Sequence, residues 1–184
     1  MKASWLIVFA IGLLNVAFAQ TLPPEVGENA TFSREFQNRA TKYLDLRKQV
    51  AGKSTRPSSS PETLTTAQKE LGSKIQKART GAKQGEIFTP ELTSFFRRQV
   101  AHSLNGPHGN EIRASLRHAE PANARLKINE AYPEKLPLQS TPPSLLLNLP
   151  PVPEGLEYRI VGRDLVLRDT EANIVVDFIP NIIS

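Results

Sequence analysis

The chain contains no cysteine. That excludes disulfide staples, thiolate metal sites, thiol nucleophiles and lipid anchors attached through cysteine. Aromatic residues make up only 7% of 184, so a mostly aliphatic core is expected. The sequence has no Gly-rich phosphate loop, no Gly-x-Ser-x-Gly elbow and no His-Glu-x-x-His string, each of which carries a specific chemistry. No segment beyond the first twenty residues is apolar enough to span a bilayer, which takes about 20 apolar residues.

The first twenty residues carry the sharpest signal. Lys2 precedes an apolar run from Trp5 to Val16, and Ala17-Phe18-Ala19 places small residues two apart before Gln20. This is the layout of a secretory signal peptide, with cleavage expected between Ala19 and Gln20. The competing reading is a retained anchor. It is weakened by Gly12 and Asn15 within the run and by the lack of a cationic cluster after it. Cleavage leaves 165 residues and a formal charge of +4, because Lys2 is the only charge removed. The expected location is periplasmic or secreted. Asn29-Ala30-Thr31 has the form of a glycosylation sequon, read as a chance triplet in a flexible leader.

Residues 20–30 read as an extended leader and residues 31–120 as a helical region. Phe32, Phe36, Ala40, Tyr43, Leu44 and Val50 form one apolar stripe, with Arg34, Arg39, Lys42, Arg47 and Lys48 largely off it. Gly52 is the expected stop. After a Ser-rich loop, Ser60-Pro61-Glu62 starts a second helix with the stripe Leu64, Ala67, Leu71, Ile75 and Ala78. Thr89-Pro90-Glu91 repeats that start for a third helix carrying Leu92, Phe95, Phe96 and Val100, stopped by Asn105-Gly106-Pro107. A weaker helix is expected from Asn110 to His118.

Residues 121–155 are a Pro-rich connector with a short capped helix over Thr141–Leu149. Residues 156–180 read as an antiparallel β-meander. Gly162-Arg163 suits a two-residue type II′ turn. That turn pairs Val161 with Asp164, Ile160 with Leu165, Tyr158 with Leu167 and Glu157 with Arg168. The apolar four then share a face, expected to pack on Leu145, Leu146 and Leu149. Ile174, Val176 and Phe178 are expected on one face of a third strand, and residues 124–128 are a possible fourth. The fold class is thus α+β: about three N-terminal helices, a connector, then a meander.

The stretches Gly85–Glu91, Pro142–Leu146 and Leu156–Asp169 resemble a group of exported bacterial proteins with no assigned activity. The closing Tyr and Gly-X hairpin is also similar to that of small periplasmic nickel/cobalt-homeostasis proteins. Neither resemblance supplies catalytic residues.

The histidines His102, His108 and His118, with Glu111 or Glu120 assisting, are the available metal ligands. No pair of these histidines has helical i, i+4 spacing, so no metal site is expected. Ser103 adjoins His102, but neighbours on a helix do not face each other. Arg97, Arg98, Arg113 and Arg117 form a candidate face for an anionic partner. The leading expectation is a non-enzymatic binding or structural protein of the cell envelope. Its partner would be an envelope protein or an anionic polymer, with no cofactor, no catalytic residue and no specific nucleic acid. Two alternatives stay open: a small envelope hydrolase using carboxylates about 5–9.5 Å apart, and a periplasmic metal-homeostasis protein.

Overall fold

The computed structural model describes residues 24–52, 61–117, 125–133 and 141–183. Ala17, Ala19 and Gln20 around the expected cleavage position, the loop 53–60, His118 and Glu120 lie outside the described residues.

Helix α1 runs over Pro24–Ala51, α2 over Pro61–Ala78, α3 over Pro90–Asn105, α4 over Gly109–Arg117 and α5 over Pro143–Leu146. Strands β1 (Leu156–Val161), β2 (Asp164–Asp169) and β3 (Ile174–Ile179) come after them as an antiparallel sheet in the order β1-β2-β3. The α+β class with helices first and a closing meander is therefore observed.

The first helix begins at Pro24, seven residues ahead of the expected start at Thr31. Proline is tolerated at the first helical position, and Glu28 in the opening turns suits the positive helix end. The third helix starts as expected: the Thr89 hydroxyl accepts from the Leu92 amide at 3.3 Å. The Glu91 carboxyl is held below its usual range by its own backbone N–H and by the Thr89 side chain.

Helices and sheet share one core. Phe36, Ala40, Tyr43 and Leu44 of α1, Ile75 of α2 and Leu92, Phe95, Phe96 and Val100 of α3 join Leu145, Leu149, Tyr158, Leu165 and Leu167 in a single cluster. The cluster is mostly aliphatic, as expected, with a group of aromatic rings inside it. The Phe36 ring lies 5.2 Å from Phe96, 5.9 Å from Phe88 and 5.9 Å from Tyr158. The few aromatics are concentrated, with Phe36, Phe88, Phe96 and Tyr158 in mutual ring contact. The expected stripe of α2 holds only in part: Ile75 is buried, whereas Leu64 is 55% exposed. Leu146 is likewise 38% exposed, while Leu145 and Leu149 pack inward. A four-residue helix cannot bury consecutive positions on one side.

The hairpin register is as expected at every pair, Glu157 with Arg168 included. Gly162 takes φ 59° and Arg163 does not take a positive φ, as type II′ requires. The third strand departs from simple alternation. Leu167 pairs Asp177 but Arg168 pairs Val175, leaving Val176 as a bulge. The extra residue flips the remainder of the strand to the other face. Phe178 therefore joins Tyr132, Val161, Val166 and Val175 on the opposite face, rather than Ile174 and Val176. The outer edge of β3 meets residues 129–132 and not the expected 124–128. Asn129 N–H donates to Val175 O at 2.9 Å and Tyr132 N–H to Asn173 O at 2.8 Å.

Candidate anion-binding cleft

Arg39, Tyr43 and Leu46 recur at i, i+4 and i+7 on one face of α1, with Lys42 beside them. They look across a cleft of about 400 Å³ at Ala78, the last residue of α2, and at Arg79, Gly81, Ala82, Glu86 and Ile87 of the loop beyond it. Three cations and one carboxylate line this space.

Each cation is held differently. Arg39 donates from Nε to Glu35 Oε1 at 2.6 Å and from Nη1 to the Glu86 carbonyl at 2.9 Å. Arg79 is buried, with a side chain 7% exposed, and donates from Nη2 to Glu86 Oε2 at 2.9 Å. Its guanidinium lies 5.1 Å from the centre of the Tyr43 ring, a cation–π contact. Arg79 Nη1 is buried and has no hydrogen-bond partner among the described residues. Lys42 is exposed and makes no hydrogen bond or ion pair among the described residues.

Below the cleft, two carboxylates fix the helical layer to the sheet. Asp169 is fully buried. It accepts from the Tyr43 hydroxyl at 2.7 Å, Arg47 Nη1 at 3.2 Å and the amides of Glu171 and Ala172 at 2.8 and 2.9 Å. Burial, then the charge of Asp169, pushes the Tyr43 hydroxyl far above the usual tyrosine range, so it remains a donor. Arg47 also meets Glu171 at 2.9 Å and lies against Gly155. A Cβ on Gly155 would fall 2.7 Å from Arg47 Nη1, and its φ of +86° also favours glycine. Asp177, also fully buried, accepts from the amides of Ile87 (2.8 Å), Phe88 (2.9 Å), Gly85 (3.1 Å) and Phe178 (2.8 Å). These bonds set the loop that supplies Glu86 to the cleft.

The four arginines expected to form an anionic-partner face are mostly spent inside the molecule. Arg97 donates to the carbonyls of Asn181 at 2.7 Å and Pro180 at 2.6 Å. Arg113 donates to the Leu104 carbonyl at 2.6 Å. Arg98 pairs with Glu28 at 3.3 Å and lies over the Phe32 ring. Arg117 is exposed at the end of α4. His102 is exposed on α3, and His108 Nδ1 sits 3.2 Å from Glu111 Oε2. Among the described residues no group of three or more His, Asp or Glu side chains is placed to hold a metal. Ser103 Oγ donates to Gln99 O and accepts from Asn148 Nδ2. The cleft above and two further grooves carry one carboxylate each, Glu86, Glu157 and Glu70. None of the three assembles a carboxylate pair.

In the sequence, Arg39, Lys42 and Arg47 stand together as off-stripe surface cations, and nothing singles out Asp169, Asp177 or Glu86. The only local signal for the cleft is the repeat of basic residues along one side of the first helix. Among the described residues, no helix is long and apolar enough to cross a membrane. Compared with protein-family models, curated proteins and solved structures, the chain matches none.

Proposed function

We propose that this chain is an exported, non-enzymatic binding protein of the cell envelope, and that the cleft between α1 and α2 receives an anionic group of its partner. The observation that carries this reading is the imbalance of the cleft: with Arg39 already paired to Glu35, Lys42 and Arg79 still face a single carboxylate, Glu86. A cation as buried as Arg79 interacts more strongly than one in bulk water, and the exposed Lys42 remains available at the rim. The partner is an envelope protein or an anionic polymer. Export rests on Lys2, the apolar run and Ala17-Phe18-Ala19.

Two measurements test the proposal. Expression of the full chain in a bacterial host should yield a protein whose mass starts at Gln20. A membrane-retained chain beginning at Met1 overturns the export reading. Binding of labelled polyglutamate should weaken with salt, as exposed charge contacts do, and should fall in Lys42→Ala but not in Arg117→Ala. Equal loss in both variants, or no binding at low salt, refutes the cleft as the site.

A further inference from the structure

We infer that Glu86 occupies the cleft as a resident substitute for the ligand, and that the group it stands in for is a carboxylate. This inference rests on the cleft being the binding site and adds the class of ligand and the way the cleft is kept filled. The Glu86 side chain is 45% exposed, so nothing buries it in place. Its two oxygens are divided between separate donors: Oε2 takes Arg79 Nη2 at 2.9 Å and Oε1 takes the Lys83 amide at 3.0 Å. A planar two-oxygen group bridging a guanidinium and a backbone N–H is the seat of a carboxylate. The neighbours are unbalanced around it. Arg79 keeps one buried donor, Nη1, without a partner among the described residues, and Lys42 brings a further charge to the same space. Nη1 is closed off from the open space, so the unmatched donor of the cleft itself is the exposed Lys42 ammonium.

The backbone of Glu86 is fixed independently of its side chain. Arg39 holds its carbonyl at 2.9 Å, and Asp177 holds the amides of Gly85 and Ile87 on either side. The side chain can therefore leave Arg79 and Lys83 while the loop stays in place. A partner carboxylate, carried on an acidic chain, takes over both donors, and Glu86 turns to solvent.

The test is a titration of the full chain with an oligoglutamate peptide, with inorganic phosphate as the second probe. Replacing Glu86→Gln removes the internal competitor's charge. It should tighten oligoglutamate binding about two- to fivefold, the size of an ion pair whose carboxylate is half exposed. Binding by wild type with no gain in Glu86→Gln overturns the resident-substitute reading and leaves the cleft standing. No binding of oligoglutamate by either protein overturns both readings. Tighter binding of phosphate than of oligoglutamate overturns the carboxylate class alone. An amide spectrum of the wild-type chain supplies a check that needs no variant. The Lys83 amide should shift on titration as Glu86 gives it up, and a Lys83 amide unmoved at saturation refutes displacement.

Discussion

Asp169 closes β2 and Asp177 sits in β3, and both are fully buried on the helix-facing side of the sheet. Asp169 is answered by opposite charge and a hydroxyl, Arg47 and Tyr43, brought by α1. Asp177 has no cation among its hydrogen-bond partners and is answered by four backbone amides, three from the loop ahead of α3. Burial raises the Asp177 carboxyl above its usual range, and the amides recover only part of that cost. One aspartate anchors a helix through side chains, the other shapes a loop through main chain. The first depends on residue identity at Arg47, the second on backbone geometry at residues 85–88.

Substitutions that remove one set of partners at a time separate these two modes. The largest effect is expected from Arg47→Met, which leaves a buried carboxylate without its cation. Such losses cost about 3–5 kcal/mol. Chemical denaturation should show the midpoint collapse, and adding Asp169→Asn should restore part of it. A loss below ~1 kcal/mol in the single variant would mean that the amides and Tyr43 suffice. A smaller loss, about 1–3 kcal/mol, is expected from Asp177→Ala, because the cost of leaving the Ile87 and Phe88 amides without an acceptor is partly offset by removing a carboxylate that is itself costly to bury. Hydrogen exchange should then quicken at Ile87 and Phe88 while α1 keeps its protection. Loss of protection spread evenly over the molecule would erase the distinction.

The smallest effect is in the pH profile. A raised carboxyl binds its proton more tightly in the folded state. Asp177 therefore adds stability at low pH that is lost as pH rises from its ordinary value of 3.8 through its folded value. Glu157 acts the other way. Burial opposes its charge, but hydrogen bonds from Arg159 and Arg168 outweigh burial and hold its carboxyl below the usual range. Its contribution is present above the ordinary value of 4.5 and is lost as pH falls through the folded value. In the wild type the two slopes oppose each other. Asp177→Asn removes one, so stability should fall more steeply from neutral to acid pH in that variant. Parallel melting profiles for the two proteins would contradict the opposition.

The contrast also marks how far the sequence could be read. The hairpin pairing was legible because turn type, alternation and the Glu157–Arg168 charge pair all act over short separations. The stripes of α1 and α3 were legible for the same reason. Arg47 was not, because its off-stripe position looks solvated until β2 supplies Asp169 from the far end of the chain. Asp177 was hidden by a bulge at Val176 that no residue type announces. In the cleft, Arg39 and Lys42 stood out only as basic residues. Their relation to Arg79 and Glu86 depends on α2 turning back beside α1.

The strip of chain at residues 129–132 hydrogen-bonds along the outer edge of β3, the strand that places Ile174, Val175 and Val176 in succession. Such an apolar β-branched run is a template for intermolecular sheet growth when its edge is bare. Here β2 borders one side and this bracket the other. At the opposite margin of the sheet, β1 carries Glu157 and Arg159, charges of the kind that discourage strand addition. The short bracket thus closes the edge along Asn173–Val175, where that apolar run begins.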